Sequence, residues 1–155
     1  MKSTKKIHQI AKKLVDAFPK NIVGCKDSTY NLYENLKIKD FLIFPGDESK
    51  LLKGLEIGCS GCISAIANVT HKLARDVFDN FEKNKPQNLN EKLIRVRHAF
   101  DNYNLISGLH SFMSVQNSKF KNLLPPLTLL NSKDNKELLK KLETLKFGLK
   151  KKIAA

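Results

Sequence analysis

The stretch NIVGCKDST (residues 21–29) places a lysine, Lys26, at the end of a short apolar run that contains glycine. Such a run favours a buried β-strand over a solvated loop, and we predict a strand over 21–26. Successive side chains of a strand point to opposite faces of the sheet. One face is expected to carry Lys26 with Gly24, and the other, towards a layer of helices, Val23 with Cys25.

Two further apolar runs follow at intervals of about 20 residues. FLIFPGD (41–47) predicts a second strand closed by a Pro-Gly turn, and GCISAIAN (61–68) predicts a third. Strands that alternate with helices indicate βαβ units around a parallel sheet, so the predicted fold class is α/β. The helices that we predict from apolar spacing span 4–17, 31–37, 48–57 with Gly58 at its end, and 70–83.

After Pro86 the strand pattern is absent and only helices are predicted. LLPPLTLL (123–130) interrupts them as an extended connector stiffened by proline. The sequence is therefore divided into residues 1–84, an α/β part, and residues 85–155, a helical region; the resemblance described below implies that the first is the C-terminal part of a (β/α)8 barrel. The predicted helices span 88 to about 105, opened by Asn88 with Glu91, then about 109–118, and a last one opened by Asp134 with Glu137.

The composition fits one globular protein with an unbalanced charge. A chain of 155 residues with 41% hydrophobic residues is long enough to bury a core. Its 28 Lys plus Arg against 15 Asp plus Glu give a net charge of +13, which favours anionic partners. Because no aromatic or zinc-finger pattern accompanies the lysines, we do not expect nucleic acid as a partner. A basic binding or assembly module that uses its lysine-rich last helix is the alternative to an enzyme.

The cysteines and the apolar runs bear on location and cofactors. Three cysteines without a hydrophobic leader predict a reducing compartment, and the cytoplasm is expected. No apolar run approaches the roughly 18 residues that a membrane span needs, so no membrane partner is expected. Cys59 and Cys62 form a single Cys-x-x-Cys pair, which is a weak signal for zinc or redox chemistry. No histidine lies at ligand spacing from it, so we expect no metal and no cofactor.

Lys26 is the residue that we expect to carry chemistry. A lysine that faces inward at the carboxyl end of a strand lies where βα-barrel enzymes hold their catalytic groups. Burial disfavours the ammonium form of a lysine and leaves free amine, which can attack a carbonyl carbon and form a Schiff base. The alternative is a lysine that only extends into solvent at a strand end or pairs with Asp27.

Three motifs share an order and a spacing that belong to one known family. They are VGCKDST (23–29), FPGDESKLLKGLEIGCSGCISAIANV (44–69) and LLPPLTLL (123–130). Over about residues 5–147 the sequence resembles the C-terminal half of the dihydrodipicolinate synthase and N-acetylneuraminate lyase family. Members are (β/α)8 barrels with a C-terminal helical extension, and they act as class I aldolases or lyases on pyruvate and related 2-oxo acids. The resemblance implies a partial (β/α)8 (TIM) barrel, about strands 6 to 8, followed by that extension.

The resemblance also implies roles for particular residues. Lys26 matches the Schiff-base lysine, which needs no cofactor and joins a 2-oxo acid such as pyruvate to an aldehyde. From the residues alone, Asp47 is equally suited to capping the next helix, and with Glu48 it also reads as a carboxylate pair for acid–base chemistry. The implied substrate-binding residues are Gly46 and Asp47 after the second strand, with Ile63 and Ser64 in the third, Ile63 lying beside bound pyruvate.

The first five strands of the family have no counterpart in this sequence. In the family they supply the hydroxyls that bind the substrate carboxylate and the tyrosine that relays protons. Three parallel strands cannot close a barrel, and they leave sheet edges and apolar side chains such as Ile63 exposed. The chain is therefore expected to be marginally stable and inactive alone, and to pair with an N-terminal half-barrel chain or with copies of itself.

Overall fold

A computed structural model describes residues 2–29, 35 and 38–148, with side chains described from Lys6 onward. These residues form two compact units. The α/β unit extends to Ser64 and also includes Arg75–Gln87, while the helical unit contains Ala65–Ala74 and the chain from Asn88 onward. The division after residue 84 that the sequence favours stays a prediction.

The α/β unit is built around one parallel pair of strands. Helix α1 (Lys2–Ala17) leads into β1 (Gly24–Asp27). Strand β2 (Leu42–Pro45) is followed by a 3-10 turn (Glu48–Lys50) and by α2 (Leu51–Glu56). The two strands are parallel, with Gly24 opposite Leu42 and Lys26 opposite Phe44. The predicted α/β class is confirmed.

One face of this sheet packs against helix α1. Ile43 is buried in an apolar cluster, and Cys25 packs against that cluster together with Ile7 and Ala11 of α1. Ile7 and Ala11 are four residues apart and so lie on one face of the helix. Cys25 thus faces the helix as predicted. Val23, predicted to face the same way, lies before β1 and is 55% exposed.

The predicted third strand over 61–68 is wrong. Residues 61–64 form no strand, and helix α3 (Ala67–Glu82) begins inside the predicted segment. In the described part of the chain the sheet therefore has two strands. Residues before α3 nevertheless remain attached to β2 by backbone hydrogen bonds.

A glycine explains why that segment is not a regular strand. The amides of Ser60 and Ile63 donate to the carbonyls of Ile43 and Pro45, both at 3.0 Å. The two donors are three residues apart in this segment, whereas the two acceptors are two residues apart in β2, so the segment has one extra residue between the two hydrogen bonds. Gly61 lies between the two donors with φ of +143°, a conformation that breaks the alternation of an extended strand.

The other predicted elements of this unit lie close to their expected positions. β1 occupies the end of the predicted 21–26 and one residue beyond, and β2 lies inside 41–47. The 3-10 turn and α2 fill the predicted helix over 48–57. Gly58 follows with φ of +93° and donates its amide to Leu55 at 3.0 Å, so it ends the helix as predicted. The predicted helix over 31–37 lies outside the described residues apart from Asn35.

The helical unit has its own core. It contains α4 (Asn90–Phe100), α5 (Leu105–Ser114), a 3-10 turn (Ser118–Lys121) and α6 (Ser132–Thr144). Residues 123–130 form neither helix nor strand, as predicted for a connector. Within the described residues, no helix combines the length and apolarity that crossing a bilayer takes. The buried core residues are Ile66, Val69, Val96, Ala99, Phe100, Leu109, Phe112, Leu138 and Leu142.

The predicted caps of two helices in this unit are wrong. α4 begins after Leu89, which makes no side-chain cap, and Asn88 is not the capping residue. At α6 the cap is Asn131, whose side chain accepts a hydrogen bond from the amide of Asp134 at 2.9 Å. The predicted cap Asp134 is therefore the third helical residue, because the polar run before the helix offers more than one capping side chain.

Candidate active site

Lys26 lies at the carboxyl end of β1, where the chain leaves the sheet. It faces away from the cluster that packs on α1, because Cys25 and Asp27 alternate with it along the strand. A Cβ atom placed on Gly46 would lie 3.2 Å from Cε of Lys26 and 2.8 Å from Oγ of Ser28. The lysine side chain therefore runs across the backbone of Gly46, in the loop that follows β2.

The expected burial of Lys26 is wrong for this chain, since its side chain is exposed. The reason is the open sheet face: Leu42, in the neighbouring strand, is 42% exposed, whereas Ile43 on the opposite face is 8% exposed. Lys26 lies at the end of the strand and on the face that the alternation predicts, but the described residues do not enclose its amine.

Asp27 is buried on the other face and helps to end β1. Its side chain is 1% exposed and accepts hydrogen bonds from the amide of Thr29 at 3.0 Å and from the Thr29 hydroxyl at 2.8 Å. The Asp27 carbonyl accepts from the amide of Gly46 at 2.8 Å, which joins the loops after β1 and β2. Asp27 and Lys26 thus lie on opposite faces, and Asp27 shapes the turn that follows the lysine.

Asp47 caps the 3-10 turn that leads into α2. Its carboxylate accepts a hydrogen bond from the amide of Ser49 at 2.7 Å, which is the geometry of an N-cap. The sequence left two roles open for Asp47, helix capping and a place in the active site, and the structure shows that Asp47 is a cap. A role in substrate binding stays a prediction, for Asp47 as for Gly46.

Glu48 has a role that sequence reasoning missed. The side chain is 0% exposed and accepts a hydrogen bond from the hydroxyl of Ser64 at 2.7 Å. The bond joins residues 16 apart and ties the loop after β2 to the segment that precedes α3. A buried carboxylate held in this way does not form an open acid–base pair with Asp47. The spacing of apolar residues along the sequence does not indicate a hydrogen bond between two polar side chains that lie 16 residues apart.

Ile63 and Ser64 lie in the segment that is hydrogen-bonded to the end of β2 and to the loop after it. The amide of Ile63 donates to Pro45 at the carboxyl end of β2, and its side chain is 48% exposed. The hydroxyl of Ser64 donates its hydrogen bond to the carboxylate of Glu48. The structure therefore brings Lys26 and Gly46 close together, and a backbone hydrogen bond joins Ile63 to the end of β2. The substrate-binding roles of Gly46, Ile63 and Ser64 stay predictions.

A model of the dihydrodipicolinate synthetase family matches residues 5–145, which include all of these positions. The chain belongs to this family. The curated 4-hydroxy-tetrahydrodipicolinate synthase of Listeria welshimeri serovar 6b is 36% identical over 72 residues, 43% of this chain and 25% of that protein.

Solved structures of the family share the fold at low identity. Dihydrodipicolinate synthase from Thermotoga maritima matches with a TM-score of 0.76 and 20% identity, over 90% of this chain and 50% of that one. YagE, a prophage protein of the dihydrodipicolinic acid synthase family from E. coli K12 solved in complex with pyruvate, matches with a TM-score of 0.76 and 19% identity, over 90% and 51%. The chain spans about half the length of these relatives.

The surroundings of Cys62, one of the cysteine pair, disfavour its thiolate form. Cys25, Cys59 and Cys62 are outside any disulfide. Burial raises the pKa of the Cys62 thiol to about 12, and the carboxylates of Glu48 and Asp47 add to the rise. The thiolate is the nucleophile and the metal ligand, so this thiol is unreactive near neutral pH. Across the described residues, no three His, Cys, Asp or Glu side chains are grouped to hold a metal ion.

Proposed function

We propose that this chain is the C-terminal half of a Schiff-base lyase or aldolase that acts on pyruvate or a related 2-oxo acid. The observation that carries the proposal is the position of the Lys26 amine, at the carboxyl end of a parallel strand and across Gly46. That end of the strands is where βα-barrel enzymes hold catalytic groups. Membership of the dihydrodipicolinate synthetase family supports the reaction class, and the pyruvate bound by YagE supports the substrate.

The chemistry needs only the lysine amine as covalent catalyst. The unprotonated Nζ of Lys26 attacks the keto carbon, and the carbinolamine loses water to give an iminium ion. Loss of a proton from the neighbouring carbon gives an enamine, whose carbon then attacks an aldehyde. Water hydrolyses the new iminium, which releases the product and restores the amine. The reverse sequence cleaves the same carbon–carbon bond.

The exposure of Lys26 supports a further part of the proposal, that the chain is inactive alone. Around a solvated amine, water competes for the iminium. By the resemblance, the carboxylate-binding hydroxyls and the proton-relaying tyrosine come from the first five strands of a (β/α)8 barrel. We therefore place this chain as the part of such a barrel that begins at its sixth strand, in a reducing compartment such as the cytoplasm. Its three cysteines outside disulfides support that placement.

Reductive trapping tests the proposal. The full chain is incubated with pyruvate and sodium borohydride, alone and with complementary family strands supplied, and the modified lysine is located by peptide mass mapping. We expect one reduced pyruvyl adduct, on Lys26, that increases when the complementary strands are present. Lys26→Arg should remove it.

The matched control is Lys20→Arg, which changes an exposed lysine of the same unit ahead of β1. It should leave the adduct on Lys26 unchanged. If Lys26 stays unmodified with the complementary strands present, or if other lysines are labelled equally, the Schiff-base function is wrong and the basic binding module becomes the better account.

A further inference from the structure

We propose that a cleft in the helical unit is a binding site for an amphipathic anion, a long-chain carboxylate whose hydrocarbon part lies between apolar walls. The cleft lies between the last turn of α5 and the second half of α6, and the residues that line it belong to the helical unit. The proposal goes beyond the Schiff-base function and does not rest on it, because Lys26 lies in the α/β unit.

The cleft is large and mainly apolar. Its volume is about 1070 Å³, whereas small-molecule sites in proteins usually have about 300–1,000 Å³. The cleft therefore has room for a long, flexible ligand. It opens to solvent beside Val115, which is 64% exposed. The apolar walls are formed by Phe112, Met113, Phe120, Leu139, Leu142 and Phe147.

The floor of the cleft is the core of the helical unit. Phe112 and Leu142 are 5% and 1% exposed and belong to the buried core of that unit. Phe147 packs against this core, and its ring stacks on that of Phe112 with the ring centroids 6.0 Å apart. These walls are held by the packing of the chain itself, so an apolar ligand meets a preformed surface.

A lysine with a strained backbone stands at the rim of the cleft. Lys146 has φ of +49°, in the left-handed region that favours glycine. Among the described residues, Asp40 and Asn84 also have positive φ without being glycine, but their short polar side chains tolerate that conformation. A lysine has no such short side chain. Strain of this kind clusters at functional sites and ligand clamps.

The turn at Lys146 also builds the cleft. The amide of Phe147 donates to the carbonyl of Leu142 at 2.9 Å, and the amide of Lys146 donates to that of Glu143 at 2.8 Å. These two bonds form a Schellman motif, in which Lys146 occupies the position that glycine usually takes. The motif brings Phe147 back to α6 and leaves Lys146 among the lining residues. Glycine would close the same turn with less strain, so the turn itself does not require a lysine side chain.

The polar groups at the rim favour an anionic ligand. Lys146 supplies a positive charge. The side-chain oxygen of Asn117 accepts a hydrogen bond from the amide of Lys119 at 3.0 Å, so the group of Asn117 that can donate to a ligand is its NH2. Both groups suit a carboxylate. Glu143 also lines the cleft and opposes an anion, but the net charge of +13 outweighs this one carboxylate.

Other ligand classes use fewer of these features. A neutral hydrocarbon fills the apolar walls but makes no use of Lys146 and Asn117. An organic cation is repelled by Lys146 and by the net charge of the chain. A second copy of this chain brings the same charge of +13 and is repelled in the same way.

NMR of the methionine methyl groups tests the site. The two methionines of the sequence are Met1, its first residue, and Met113, which lines the cleft. The full chain, labelled with carbon-13 in these methyl groups, is titrated with dodecanoate below the concentration at which dodecanoate forms micelles. We expect a saturable shift of the Met113 resonance, while that of Met1 stays in place. Dodecanol, which has the same hydrocarbon chain without the carboxylate, should bind more weakly.

Lys146→Gly separates binding from folding. The variant should raise the melting temperature of the helical unit, because it relieves the strained φ. It should weaken dodecanoate binding by about two- to fivefold, which is the size of an exposed ion pair. The binding of dodecanol should not change, since dodecanol has no charge for Lys146 to attract.

A second variant locates the ligand in the cleft. Val115→Asp removes apolar surface and adds a negative charge beside the ligand, so it should weaken dodecanoate binding by at least about fivefold. The matched control is Leu124→Asp, which changes a leucine of the same unit that is 84% exposed and should bind like the unchanged chain. Circular dichroism confirms that the variants are folded.

Several outcomes would overturn the site. The Met113 resonance does not move, dodecanol binds as tightly as dodecanoate, or Lys146→Gly leaves dodecanoate binding unchanged, in which case Lys146 serves the turn alone. A chain that sediments as a dimer and is dissociated by Val115→Asp would make a second copy the occupant. Binding to phosphatidylglycerol vesicles without a response to free dodecanoate would make it a lipid surface. The Schiff-base function stands or fails separately, because these measurements use no pyruvate and leave Lys26 unchanged.

Discussion

The side chain of Lys26 crosses the backbone of Gly46 so closely that a methyl group on Gly46 would lie 3.2 Å from Cε of the lysine. The contact joins the proposed nucleophile on β1 to the loop after β2. The side chain of Lys26 thus lies against a residue for which the resemblance implies a role in substrate binding.

We expect Gly46→Ala to move Lys26 and to cost about 1–3 kcal/mol of unfolding free energy, because the new Cβ also meets Oγ of Ser28 at 2.8 Å. The resonance of methyl-labelled Lys26 in NMR spectra should shift. Gly58→Ala is the matched control: Gly58 has φ of +93° and open space around its Cα, so alanine there costs about 1–2 kcal/mol by strain alone. If both variants leave the Lys26 resonance in place, Gly46 does not position the lysine.

The hydrogen bond from Ser64 to Glu48 is expected to stabilise the α/β unit. Ser64→Ala removes a donor from a carboxylate that is 0% exposed, and the loss should be about 1–3 kcal/mol in urea unfolding. Ser114→Ala in the helical unit removes a hydroxyl that donates to the Ser111 carbonyl, and it should cost less, about 0.5–1 kcal/mol. Equal losses would show that the Glu48 contact has no special weight.

The thiol of Cys62 is expected to resist alkylation. Its pKa is raised from the usual 9.0 to about 12, first by burial and then by Glu48 and Asp47. Only the thiolate reacts with iodoacetamide, so Cys62 should be modified far more slowly at pH 8 in the folded chain than in urea. Glu48→Gln should speed the reaction. Peptide mapping distinguishes the three cysteines, and equal rates in folded and unfolded chains would contradict the raised pKa.

The same pKa shift predicts how stability changes at high pH. Between about pH 9 and pH 12 the unfolded chain loses the Cys62 proton while the folded chain keeps it. The contribution of this thiol is therefore fully present below pH 9 and is lost as the pH rises towards 12. Urea unfolding of the unchanged chain and of Cys62→Ala at pH 8 and pH 10 measures it. The unchanged chain should lose more stability over that interval than the variant.

The two strands and the position of Lys26 could be predicted because they depend on local signals. Apolar runs followed by turn residues mark both β1 and β2, and alternation along β1 assigns Cys25 and Lys26 to opposite faces. The sequence could not show that residues 61–68 do not form a third strand, because their apolar run resembles those of β1 and β2. The backbone conformation of Gly61 decides that case, and composition does not reveal the φ of a glycine.

The surroundings of Lys26 and the bond of Glu48 could not be predicted for a different reason. Whether the amine is buried depends on which strands stand beside β1, and that is a property of the assembled sheet. The Glu48 bond joins residues 16 apart through the turn of the chain. Periodicity describes one element at a time, so it reports neither of these relationships.

Helix caps give a final case in which sequence and structure disagree, and it can be measured. The sequence predicts Asp134 as the cap of the last helix, yet Asn131 is the residue whose side chain accepts a bond from a helix amide, that of Asp134 at 2.9 Å, while Asn88, the cap predicted for α4, caps no helix. Asn131→Ala should therefore cost about 0.5–2 kcal/mol and lower the melting temperature of the helical unit. Asn88→Ala removes an amide of the same size that caps no helix, so its effect should be smaller. The reverse order of the two melting temperatures would contradict the capping roles that the structure gives to Asn131 and denies to Asn88.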